Sequence, residues 1–142
     1  MYKRQWEGVR QRAEERIRHY NIVGQPETPV EALSGGNQQR ALLALLPPGL
    51  RLLLMEHPTR GLDVESANWV WQQLLARREE GTAILFTSAD LDELLERSDR
   101  IVVFFAGRMM EPLAAEQTTV EQLGYLIGGK ITAEAQRTRR VS

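Results

Sequence analysis

Leu52-Leu53-Leu54-Met55-Glu56-His57-Pro58-Thr59-Arg60-Gly61-Leu62-Asp63 begins with four apolar residues, turns polar at Glu56-His57 and ends in a Pro/Gly loop. A run that is apolar at every position reads as a strand buried on both faces, as strands of parallel sheets are. After the loop, Ala67, Val70, Trp71, Leu74 and Leu75 recur at helical spacing up to Glu80, and Gly81 is a natural stop. Ala83-Ile84-Leu85-Phe86 reads as a second buried strand. Asp90 and Glu93 frame a short helix as a capping box. Ile101 to Phe105 reads as a third strand, which Ala106-Gly107 turns back as a hairpin through Arg108-Met109-Met110. Strands alternating with helices predict an α/β fold with right-handed crossovers. Ligands in such sheets sit at the carboxyl ends of the strands.

Upstream, Trp6, Val9, Ala13, Ile17 and Tyr20 recur at three or four residues between Arg and Glu, which predicts an amphipathic helix from Tyr2 to Tyr20. Asn21 to Ala32, with Gly24, Pro26 and Pro29, reads as a loop that delivers the chain to Leu33-Ser34-Gly35-Gly36-Asn37-Gln38-Gln39-Arg40. A helix follows from about Gly36 to Leu46, stopped by Pro47-Pro48-Gly49. A serine and two glycines at a helix start leave backbone N–H groups and the partly positive helix terminus open to a phosphate. Ser-Gly-Gly also makes ordinary helix-capping turns, so both readings stand at this point. A last helix is expected from Thr118 to Ile127, and the arginine-rich end, 131–142, reads as a disordered tail.

With 142 residues, 42% of them apolar, the chain suits one domain. A net charge of −1 gives no global field toward nucleic acid, and the aromatic residues fall on strands and inner helix faces, where they form no basic stacking platform. No nucleic-acid partner is therefore expected. The absence of cysteine removes disulfides, thiolate metal sites and cysteine nucleophiles. No apolar run approaches the roughly 18 residues of a membrane span.

Four motifs now stand in order. Leu33 to Arg40 resembles the signature loop of ABC-type ATPases, Leu52 to His57 their Walker B strand, Pro58 to Asp63 the segment that ends in their D-loop, and Ser88 to Ile101 their switch region. The spelling Ser-Gly-Gly-Asn-Gln-Gln-Arg with Pro-Thr-Arg-Gly-Leu-Asp-Val is most similar to the second nucleotide-binding domain of simple-sugar and nucleoside importer ATPase subunits. The resemblance implies a P-loop-NTPase-like parallel sheet with flanking helices, a C-terminal β-hairpin and a missing Walker A part. It divides residues 1–130 into a helical subdomain with the signature helix, 1–46, and a Walker B, D-loop and switch part, 51–130.

In that family two nucleotide-binding domains meet head to tail. The resemblance thus implies that Ser34, Gly35, Gly36 and Gln38 contact ATP bound to a second ABC domain. It places Asp63 at the seam as the D-loop aspartate, where it also suits a helix N-cap. It further implies transmembrane permease subunits as partners, and a cytoplasmic position at the inner face of the plasma membrane.

The catalytic positions depart from the pattern. Counted back from Pro58, Glu56 stands where the magnesium-linked Asp belongs and His57 where the catalytic Glu belongs. Glu56 still reaches the water shell of Mg²⁺, whereas His57 lacks the fixed negative charge that polarises an attacking water. A gapped alignment instead makes Glu56 catalytic and Met55 the altered residue. Ala89 occupies the position of the γ-phosphate-sensing histidine, and a methyl group forms no hydrogen bond. No Gly-x-x-x-x-Gly-Lys-Ser/Thr occurs in the sequence, so ATP and Mg²⁺ are expected only with a partner domain. Three functions follow: a signature-loop half-site of an importer, half of a split ATPase that hydrolyses ATP beside a Walker A-bearing chain, or an ABC protein of repair or translation.

Overall fold

The computed structural model describes residues 2–129, so the tail expected at 131–142 lies outside the described residues. The chain forms two compact units, one ending at Phe86 and the other beginning at Thr87.

The first unit opens with α1 (Tyr2–His19), followed by a 3₁₀ turn at Val30–Ala32 and α2 (Gly35–Leu45). Then come β1 (Leu52–Glu56), α3 (Val64–Glu79) and β2 (Ala83–Thr87). Local chemistry fixes the boundaries. Ser34 caps α2 and Asp63 caps α3, each side chain accepting a backbone N–H of the first turn. Gly49 and Gly81, at φ +69° and +95°, take left-handed turns that a side chain would strain.

Strands β1 and β2 pair in a parallel sheet, and Leu43 of α2 with Val70, Trp71 and Leu74 of α3 packs on Leu53. Trp71 meets Phe86 edge to face at 4.8 Å between ring centroids. Helices α2 and α3 and strand β1 therefore share one core. That core joins α2, at the end of the expected 1–46 part, to β1 and α3 of the 51–130 part.

The expectation of strands buried on both faces needs correction. Leu53 is buried, and Met55, Ile84 and Phe86 are half-buried, whereas Leu52, Leu54 and Leu85 are 55%, 64% and 61% exposed. Side chains alternate across a strand, and α2 and α3 cover only one of the two faces.

The second unit corrects the third strand. Residues 101–105 do not extend the parallel sheet. They divide between β3 (Arg100–Ile101), which pairs antiparallel with β6 (Leu113–Ala114), and β4 (Phe104–Phe105), which pairs antiparallel with β5 (Arg108–Met109). The turn is the cause. Ala106 and Gly107 both have positive φ, +48° and +74°, as a two-residue type I′ hairpin requires, and this folds the chain directly back on itself. The hairpin itself lies where the sequence placed it. Between the paired strands the Met110 N–H donates to the Val103 carbonyl at 2.9 Å.

Asp90 caps α4 (Leu91–Arg97), and a reciprocal capping box of Thr119 and Gln122 opens α5 (Val120–Ile127). Ile101, Val103, Ala115 and Leu123 form this unit's core. No described helix is long and apolar enough to cross a membrane.

Two outcomes follow for stability and association. Leu74→Ala, at a fully buried position, should destabilise the chain by about 2–5 kcal/mol in chemical denaturation, because α3 cannot collapse into the void. The open sheet face should make the isolated chain associate, and Leu54→Thr with Leu85→Thr should reduce that association without lowering the melting temperature. Light scattering on the unmodified chain checks this, and a monodisperse, cooperatively melting monomer would contradict it.

Candidate functional site

The start of α2 is held from three sides. Ser34 Oγ accepts from the backbone N–H of Asn37 at 3.4 Å and from Asn37 Nδ2 at 2.9 Å. Asn37 Oδ1 in turn accepts from the Val23 N–H at 2.8 Å, which ties the approach loop to the turn. Ser34 and Gly35 are exposed. Gly36 is packed tightly against Ser66. A Cβ there would lie 2.6 Å from Ser66 Oγ and 3.2 Å from Ser66 Cβ, whereas one at Gly35 would make only an ordinary contact with Leu62.

Gln38 points its amide nitrogen back into the chain, donating to the carbonyls of Leu33 at 3.0 Å and Val30 at 3.2 Å. That nitrogen braces the loop and is not turned toward a ligand. Gln39 Nε2 donates to the Pro58 carbonyl at 2.6 Å, linking α2 to the segment that leaves β1. The Arg40 guanidinium lies over the Trp69 ring at 4.1 Å.

Beyond β1 the chain turns sharply. His57 is half-buried at φ +47°, a left-handed conformation uncommon for a residue with a Cβ, and its carbonyl accepts the Arg60 N–H at 3.1 Å. Glu56, at the carboxyl end of β1, is exposed. Among the described residues no group of three or more His, Asp, Glu or Cys side chains is placed to hold a metal ion. A magnesium ion held by Glu56 would need phosphate oxygens and water to complete its shell.

Asp63 accepts from the Ser66 N–H at 2.8 Å and from the Ser66 hydroxyl at 2.9 Å. These two bonds, the backbone one first, hold its carboxyl below the usual carboxylate range. Ser66 lies against Gly36 and bonds Asp63, which brings the turn at the start of α2 and the cap of α3 together. Ala89 is exposed in the second unit, between Ser88 and the α4 cap Asp90. His19 is exposed in the last turn of α1, its ring edge against Tyr20.

Asn37, Gln39 and Ser66 complete the arrangement and were not singled out from sequence. Asn37 carried a local signal, since its place three residues after a serine cap is where a side chain can reach back. Ser66 likewise follows its cap Asp63 by three residues, whereas its approach to Gly36 and the Gln39 bond to Pro58 span 30 and 19 positions, which no local pattern reveals.

Comparison with known proteins places the chain among similar sequences and folds. The chain is 39% identical over 121 residues to the guanosine import ATP-binding protein NupO of Bacillus subtilis, covering 84% of this chain and 24% of that protein. It is 38% identical over 126 residues to the nucleoside import ATP-binding protein NupA of Lactococcus lactis, covering 87% and 25%. By homology this chain belongs to the ATP-binding proteins of ABC transporters. It spans about a quarter of the length of those relatives. A dimeric bacterial ABC transporter cassette shares the ABC fold at a TM-score of 0.62 and 23% identity, over 79% of this chain and 49% of the cassette. No protein-family model matches the chain.

Two measurements probe the clamp between α2 and α3. Gly36→Ala should destabilise the ABC chain by about 1–3 kcal/mol, and the loss should shrink when Ser66→Gly removes the obstructing side chain, as a double-mutant cycle would show. Because the Asp63 carboxyl titrates below its unfolded value of about 3.9, its contribution is full above that pH and is lost as pH falls through the folded value. Asp63→Asn should flatten the acid limb of the stability curve.

Proposed function

We propose that this chain supplies Ser34, Gly35 and Gly36 to the γ-phosphate of ATP held by a second ABC nucleotide-binding domain, within an importer of sugars or nucleosides. The observation that carries this reading is the exposed Ser34–Gly35 turn on α2, held from behind by Asn37, Gly36 and Gln39. The N–H groups of Gly35 and Gly36 lie in the first turn, where no intrahelical acceptor exists, and the helix dipole adds positive potential. A phosphate oxygen would accept from these groups and from the Ser34 hydroxyl, in charge-assisted bonds roughly twice as strong as neutral ones.

The catalytic positions support a half-site over a complete enzyme. His57 brings no fixed negative charge and Ala89 no hydrogen bond, so activation of water falls to groups outside this chain. Asp63, locked to Ser66 beside Gly36, would lie at the seam between the two domains. Transmembrane permease subunits would complete the assembly at the inner face of the plasma membrane. The import proteins NupO and NupA favour this setting over an ABC protein of repair or translation.

A hydrolytic role for the chain's own residues would rest on Glu56, exposed at the end of β1. Two variants separate these readings in the ATP-hydrolysing assembly. Ser34→Arg should abolish turnover at the partner's site, and unchanged turnover would refute the half-site. Glu56→Gln should leave that turnover intact, whereas its loss would favour the split enzyme.

A further inference from the structure

We infer that Asn37 is a positioning residue that fixes Ser34 as a hydrogen-bond donor, so that the turn accepts only an acceptor-rich group such as a phosphate oxygen. This rests on the reading of Ser34 as the phosphate contact and adds how its polarity is set.

The constraint starts at Val23. Its backbone N–H can only donate, and at 2.8 Å it faces the Asn37 side chain. The atom that meets it must therefore be the carbonyl oxygen of the amide, and this settles which way the amide is turned. The other end, Nδ2, then faces Ser34 Oγ at 2.9 Å, and an amide NH₂ can only donate. The Asn37 backbone N–H donates to the same oxygen at 3.4 Å.

A serine hydroxyl has two acceptor lone pairs and one proton. Both lone pairs are used within the turn, and the proton is left for whatever approaches the exposed side. A backbone group in the approach loop thus dictates, through one amide, the direction of a hydrogen bond at the ligand face. A free hydroxyl would rotate and serve donors and acceptors alike. This one discriminates between them.

Asn37→Asp tests the inference because it separates polarity from packing. The carboxylate still accepts from Val23, but its second oxygen now draws the Ser34 proton inward. An acid in the first turn of α2 also favours the helix, so the melting temperature should stay level or rise. In the ATP-hydrolysing assembly, turnover at the partner's site should nevertheless fall about ten- to a hundredfold, the usual scale for a hydrogen bond to a charged group.

Repulsion between the new carboxylate and the phosphate is separated by combining the variant with Ser34→Ala. If Asn37 acts through the serine proton, the double variant turns over no more slowly than Ser34→Ala alone. A further loss in the double variant assigns the effect to repulsion and overturns the inference. In the isolated chain, the Asn37 side-chain NH₂ resonances should move on Ser34→Ala, and resonances left in place would contradict the bond itself. Unchanged turnover for Asn37→Asp, with Ser34→Arg inactive, overturns the inference alone. Unchanged turnover for both variants overturns the phosphate reading with it.

Discussion

The packing of Leu43 from α2 against Leu53, Val70, Trp71 and Leu74 is the constraint on which the first unit depends. It packs the last turn of α2 and the middle of α3 on one face of a small parallel sheet. Gly36 and Ser66 come so close there that a side chain at position 36 would force Ser66 to move, and Asp63 is reached through the same serine. The exposed turn at Ser34–Gly35 and the position of Asp63 are thus tied to one hydrophobic core. Gln39 extends this linkage to the segment leaving β1 by holding the Pro58 carbonyl.

Much of this was legible in the sequence because the signals were local. Ser34 and Asp63 announce helix starts, Gly81 a helix stop, and Ala106-Gly107 a tight hairpin, each through the backbone preference of one or two residues. Two misreadings had a common source. Apolar runs at Leu52–Met55 and Ile101–Phe105 report that burial is possible, but which face is covered and which strand is the partner depend on elements distant in sequence. Leu54 is consequently exposed, and residues 101–105 divide between two antiparallel pairs.

The candidate site divides along the same line. Ser34, Gly35 and Gly36 stand out as a motif, but the direction of the Ser34 hydroxyl is set by Val23 through Asn37, a partner 14 residues from the amide. Gln38, which the motif also suggested as a ligand, spends its amide nitrogen on Val30 and Leu33. Spelling identifies the loop, and the hydrogen-bond pattern shows which of its polar atoms are already engaged within the chain.

The central claim is that this surface serves a nucleotide held by another domain. The most direct measurement is calorimetric titration of the isolated chain with ATP and Mg²⁺. No saturable binding in the micromolar range is expected, because Ser34 and the first turn of α2 would meet only one face of the terminal phosphate. Saturable micromolar binding that survives Ser34→Arg would contradict it, since the chain would then hold ATP by residues of its own.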